Sequence, residues 1–171
     1  MDQNAEVIAK AISGSLKIIE QDREREIISR RFGLSGNKET LEQIGDMLSI
    51  TRERVRQLEK AILIRLRILA EDGNIPELAQ AEKIIIRNLT EMGRIARVSD
   101  LAEKIFSQSV TEKQRQSLAF IGEISASLTV VEESEKYFNA IGIADYGSEK
   151  EIKAVSVERR FDMHASYTVE K

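Results

Sequence analysis

From Thr51 to Lys60 the chain reads Thr-Arg-Glu-Arg-Val-Arg-Gln-Leu-Glu-Lys. Wound as a helix with Val55, Leu58 and Ile62 inward, this stretch turns Glu53, Arg56, Gln57 and Lys60 outward, with Arg52 and Arg54 on the flanks. Guanidinium and ammonium groups neutralise phosphates, and Arg and Gln carry the paired donors and acceptors that match base edges in the major groove. A carboxylate among phosphates is repelled unless it accepts from the exocyclic amine of cytosine, so Glu53 points to base readout. The competing reading of Glu53 is a solvated side chain on a charged helix. Thr51 at the helix start and Thr40 at the start of the helix before it complete the candidate DNA-facing set: Thr40, Thr51, Arg52, Glu53, Arg54, Arg56, Gln57 and Lys60.

Other chemistry has no residues to carry it. There is no Cys, hence no thiol nucleophile, disulfide or Cys-ligated metal. His164 is the single histidine, and one imidazole makes neither a metal site nor a triad. Glu132, Glu133 and Glu135 fall on an expected turn and read as a solvated acidic loop. Gly33-Leu34-Ser35-Gly36 lacks the Lys-Ser/Thr that a phosphate loop requires. Arg94 and Arg97 offer a second contact to nucleic acid, opposed by the acidic surroundings. The expectation is a protein that is not an enzyme and holds no metal or cofactor.

The elements that must position the basic stretch are legible around it. Counting Leu41 as position one, Ile44, Leu48, Ile50, Val55 and Leu58 occupy positions four, eight, ten, fifteen and eighteen, and Gly45 occupies position five. Two short helices crossing at a wide angle need this pattern, with apolar inner faces and a small residue where the backbones meet. Ahead of them, residues 5–12 and 15–20 are apolar at helical spacing, with a bend or break expected at Ser13-Gly14-Ser15. A helix over about 22–32 ends at Gly33. Thr40 and Gln43 form a capping-box pattern, and Thr51 is the expected N-cap of the next helix. That helix runs to Ala70 or Glu71, where Asp72-Gly73-Asn74 stops it, and the only proline, Pro76, suits the first turn of another.

A domain boundary is therefore expected at 71–76. Beyond it the pattern predicts helices over about 77–92, 98–106 and 111–127, with Asp100 or Ser99 and Thr111 as N-caps. Strands at Leu128–Glu132 and Tyr137–Ala144 follow, joined through Glu133-Ser134-Glu135-Lys136. Three helices and a two-stranded wing describe a winged-helix-like domain over 76–146. Residues 147–171 are less defined: Ser148 and Glu151 suit a helix cap, whereas Val155-Ser156-Val157 suits a strand. The fold class expected is mainly α, an N-terminal helix-turn-helix domain over 1–71 joined to a C-terminal winged-helix-like α+β domain.

Composition agrees with a folded chain: 42% of the residues are hydrophobic and only 5% aromatic, so the cores must be built from Ile, Leu and Val. The net charge of −3 argues weakly against nucleic acid. Its distribution reverses that argument. Residues 1–70 carry 13 basic and 11 acidic side chains against 13 and 18 in 71–171, and Arg52–Arg67 alone holds six basic against two acidic. A basic stripe on one helix is the footprint of a duplex-binding element, and the acidic second half calls for a different partner. The apolar runs are too short to span a bilayer and the N-terminus lacks a basic signal region, so a soluble cytoplasmic protein is expected.

The residues Arg25-Glu26, Arg31-Phe32-Gly33-Leu34, Thr40-Leu41-Glu42-Gln43-Ile44-Gly45 and Thr51–Glu59 together resemble region four of primary bacterial sigma factors, the sigma-70 family, over roughly residues 15–69. The resemblance implies a helix-turn-helix that binds the minus-35 promoter element in the major groove and docks on the flap of RNA polymerase core. It implies base contacts from Arg52, Glu53 and Gln57, and phosphate or neighbouring-base contacts from Arg54 and Arg56. There are departures. Only some twenty residues precede the segment, leaving no place for the other sigma regions, so the chain is not expected to replace a sigma factor in initiation. Ala61 and Ile64 stand where the family offers basic residues to activators, and Ser49 stands at a turn position often held by Gly. The second half looks like small winged-helix domains that accompany such modules, and in outline like the acidic N-terminal domain of the polymerase delta subunit.

From Ala61 to Leu69 the helix is apolar around its whole circumference, which a surface helix is not. Ile64 falls nearly opposite the core side and is expected to meet a partner, either the second domain or a polymerase surface; the plain alternative is an extended core helix with a few exposed apolar residues. The function expected is a sequence-specific DNA-binding transcription factor that recognises a minus-35-like element and engages RNA polymerase. The rival is a protein-interaction module that docks on polymerase or a regulator with little DNA affinity.

Overall fold

The stretch Ser13-Gly14-Ser15 does not break the first helix. In the computed structural model, which describes residues 2–107 and 109–144, α1 runs unbroken over Gln3–Lys17. Ser15 Oγ donates to the Ala11 carbonyl at 2.7 Å, so the hydroxyl is satisfied inside the helix. Gly14 faces Glu77: a Cβ there would lie 2.8 Å from a Glu77 carboxylate oxygen. The small residues mark a close approach of two helices, not the bend expected.

The remaining signals act locally as read. α2 (Asp22–Arg31) ends at Gly33, whose φ of +64° is in the left-handed region. Leu34 N–H then returns to the Ser29 carbonyl at 2.9 Å, closing the helix end. α3 (Leu41–Leu48) opens on a complete capping box between Thr40 and Gln43. α4 (Arg52–Glu71) opens on Thr51, whose hydroxyl accepts from Arg54 N–H at 3.1 Å. Pro76 begins α5 (Pro76–Glu91).

The second half continues with β1 (Ile95–Arg97), α6 (Val98–Ile105), α7 (Glu112–Ile124), β2 (Leu128–Val131) and β3 (Ala140–Ile143). The strands form one antiparallel sheet in the order β1-β3-β2. This is a winged-helix-like α+β arrangement with one strand more than the hairpin expected. α6 is not capped by Ser99 or Asp100: it starts at Val98, whose N–H donates to the Asn139 carbonyl at 3.0 Å. Pairing of β1 with the wing fixes that start before a side-chain cap is needed. α7 takes its capping box from Thr111 and Gln114 and stops at Ile124, and both hairpin strands are shorter than read. The expectations for Ser148, Glu151, Val155–Val157 and His164 lie outside the described residues.

Three apolar clusters hold these elements. Ile27, Ile44 and Val55 form a small core inside α2, α3 and α4. Ile95, Val131 and Ala140 form another against the sheet. The largest takes Ile8 and Ile12 from α1, Ile28 and Phe32 from around α2, Ile62 and Leu66 from α4, and joins them to Ile85, Leu89, Leu118, Phe120 and Ile121. Phe32 and Phe120 pack ring to ring at 5.1 Å. The α4–α5 loop at 72–75 is where a domain boundary was expected, and the apolar core is continuous across it. No described helix is long and apolar enough to cross a membrane.

Candidate nucleic-acid interface

The crossing of α3 and α4 depends on one glycine. A Cβ on Gly45 would stand 2.7 Å from the Ile50 carbonyl oxygen, closer than any real contact, and Ile50 N–H donates to the Gly45 carbonyl at 3.0 Å. Ser49 completes the turn with φ +57°, the left-handed conformation. A small residue in the first helix and a left-handed residue in the turn let α4 leave at its wide angle. Half-buried Leu41, Leu48, Ile50 and Leu58 close the edges of the small core beneath.

On this support Val55 is fully buried, whereas Thr51, Arg52, Glu53, Arg54, Arg56, Gln57 and Lys60 are all exposed along the first turns of α4. Thr40 is exposed at the head of α3. Each candidate residue therefore faces solvent, and seven of the eight share one helix end. Arg56 forks onto Glu53, donating at 2.9 and 2.6 Å, and the guanidinium holds the Glu53 carboxyl below the usual carboxylate range. The pair keeps Glu53 ionised as an acceptor and fixes Arg56 beside it. Phosphate or a base edge can compete for Arg56, because both partners are exposed.

Glu59 is a site residue that the outward pattern does not reveal. It is buried, and Arg31 Nε donates to it at 3.3 Å from the end of α2. Arg31 also reaches the Glu39 carbonyl at 3.4 Å, just ahead of α3. One guanidinium thus joins the end of α2, the approach to α3 and the middle of α4. Burial raises the Glu59 pKa against the downward pull of Arg31. A signal for it exists in the sequence: Glu59 lies one turn after Val55 on the inward face, where a charge requires a partner.

Further along α4, Arg67 donates to the Glu123 carbonyl through two nitrogens at 3.2 and 2.5 Å, tying the helix to the end of α7. Arg65 pairs with Glu24 of α2. The second half covers Leu66 but not the opposite side, where Ile64 and Ile68 remain 46% and 53% exposed. Arg97 lies 4.1 Å over the Phe138 ring, within the second half.

With this geometry in view, residues 21–67 match the family described as sigma-70, region 4. The chain is 42% identical over 57 residues to RNA polymerase sigma factor SigA4 of Synechococcus elongatus, covering 33% of this chain and 18% of that protein. Over 46 residues it is 48% identical to sigma factor SigA1 of the same organism, and equally to sigma factor SigA of a Nostoc species; each alignment covers 26% of this chain and 12% of the relative. The chain thus spans less than a fifth of the length of these relatives. The similarity takes in α2, α3 and most of α4, and the family match leaves α1 and the winged-helix-like half outside.

Proposed function

We propose that this protein is a DNA-binding transcription factor that places the first turns of α4 in the major groove of a minus-35-like promoter element and engages RNA polymerase core. The observation that carries the reading is the outward row of Arg52, Glu53, Arg56, Gln57 and Lys60 on a helix start fixed from beneath by Val55 and Glu59. Similarity to sigma-70 region 4 over 21–67 supports it. Arg52, Glu53 and Gln57 read base edges; Arg54, Arg56 and Lys60 neutralise phosphates; the Thr40 and Thr51 hydroxyls sit at helix starts, where anions are favoured. Residues 1–71 supply the DNA face, and α7 of the second half buttresses the far end of α4 through Arg67 on the Glu123 carbonyl.

Fluorescence anisotropy of the full chain with a minus-35 duplex and a scrambled one, across several salt concentrations, tests this. Preference for the minus-35 duplex that survives rising salt is expected, because phosphate contacts are screened and base contacts persist. Arg52→Ala with Gln57→Ala should erase the preference, since removing each bidentate hydrogen-bond pair to a base costs about 1–3 kcal/mol. The second reading, a docking module with little DNA affinity, is favoured by the two exposed isoleucines on α4. It gains the case if both duplexes bind equally, or not at all.

A further inference from the structure

The side of α4 turned away from the core changes character along its length. Its first turns carry polar side chains only. Directly after Lys60 the same side becomes apolar: Ala61, Ile64 and Ile68 follow at helical spacing and all are exposed. Beside them Arg56, Glu59, Lys60, Leu63, Ile64 and Arg67 line an open groove of about 330 Å³. Its floor is the apolar flank of Leu63 and Ile64 and its rim is cationic. Glu59 is already spent on Arg31. Arg67 donates to a neutral carbonyl, so its charge is not cancelled, and Lys60 makes no ion pair among the described residues.

We propose that this groove takes an amphipathic helix of a partner protein, with an apolar stripe on Ile64 and Ile68 and carboxylates over Lys60 and Arg67. The assignment rests on the docking half of the function proposed above and gives that partner its chemistry. Duplex DNA satisfies the cations but has nothing to bury the isoleucines. A second copy of this chain is disfavoured, because antiparallel pairing of α4 about Ile64 brings Lys60 within one residue of Arg67 of the other copy, like beside like. An apolar helix edged with Glu or Asp meets both demands: a stripe at i, i+3, i+4 and i+7 covers the isoleucines, and its flanks cancel the rim.

The test uses the full chain and designed fluorescent helical peptides with one Leu stripe, flanked either by Glu or by Lys. Expected is saturable binding of the Glu-flanked helix and none of the Lys-flanked one. Ile64→Gln with Ile68→Gln should weaken binding about tenfold or more, and both sites are exposed, so the fold should persist by circular dichroism. Lys60→Glu should weaken binding of the Glu-flanked helix and strengthen that of the Lys-flanked one, with Arg67 left in place to hold α4 to α7. Equal binding of both peptides, or no effect of the isoleucine variants, overturns the proposal. So does a stronger dependence of anionic phosphatidylglycerol vesicle binding on the same residues, which would give the groove to lipid. Minus-35 anisotropy of Ile64→Gln with Ile68→Gln should stay as in the wild type, so failure of DNA reading and failure of the groove are separately visible.

Discussion

Removing the Glu59 carboxylate should loosen the helix-turn-helix at its hidden joint. Exposed ion pairs contribute about 0–1 kcal/mol, and breaking a fully buried one costs about 3–5 kcal/mol. Here the side chains are 12% exposed for Glu59 and 21% for Arg31, and Arg31 keeps the Glu39 carbonyl at 3.4 Å as a second acceptor. Glu59→Ala should therefore cost about 2 kcal/mol, roughly 4–8 °C in Tm for a chain of this size. Glu59→Gln isolates the charge. Burial raises the Glu59 pKa more than Arg31 lowers it, so the folded protein holds this proton more tightly than the unfolded chain. The stabilisation linked to that proton is complete below the unfolded pKa and is lost as pH rises through the folded one. Gln imitates the protonated carboxyl at every pH. The stability of wild type minus that of Glu59→Gln should thus fall as pH rises from the ordinary Glu pKa of about 4 towards neutrality, with Glu59→Gln within about 1 kcal/mol of wild type there. Urea unfolding of the three proteins, followed by circular dichroism over that range, measures both quantities. A wild type that gains on Glu59→Gln as pH rises would refute the argument, and so would a Gln variant as damaged as the Ala variant.

The same glycine-to-alanine change should have opposite signs at two helical positions. Gly14→Ala meets only the mobile Glu77 carboxylate, so the helical preference for Ala prevails and thermal unfolding should show a gain of about 0.5 kcal/mol. Gly45→Ala drives a Cβ into the Ile50 backbone; a cost of about 1–3 kcal/mol is expected, with weaker duplex binding as the α3–α4 angle opens. Gly122→Ala, whose Cβ would lie 2.4 Å from a Val130 methyl and 2.9 Å from Ile141 Cδ1, should cost about 2 kcal/mol in a denaturant melt while leaving the DNA face in place.

Which features the sequence disclosed follows from how local their causes are. Thr40 with Gln43, Thr111 with Gln114, Gly33 and Pro76 each act within four residues, and the structure realises each as cap, stop or first turn. Gly14 sits inside an unbroken helix against the Glu77 side chain of α5, a setting that cannot be told from a breaker without knowing that α5 lies across it. β1 has three residues, too few for an alternating pattern, and it exists only because β3 pairs with it. The start of α6 differs from the expected cap for the same reason, since Asn139 in the distant hairpin supplies the partner. At the candidate interface, outward positions and the inward place of Glu59 could be counted on a helical wheel, whereas the partner that lets Glu59 be buried, Arg31, lies 28 residues away.

The length of α4 explains why a segment similar to sigma-70 region 4 is joined here to a second half. The core that α2, α3 and α4 keep to themselves holds three fully buried side chains, Ile27, Ile44 and Val55, too few to offset the ordering entropy of those helices unaided. Their other apolar residues, Ile28, Phe32, Ile62 and Leu66, belong to the large core, where α7 packs on α4 and Phe120 on Phe32. α4 therefore lies in both cores, with its first turns over the small one and its last turns clamped by Arg67 on Glu123. A helix held at the far end over several turns presents its free end with little angular play, which is what base readout demands of Arg52 and Gln57. The outer side of the clamped portion lies past Arg52 and Gln57, so Ile64 and Ile68 stay exposed whatever those first turns contact.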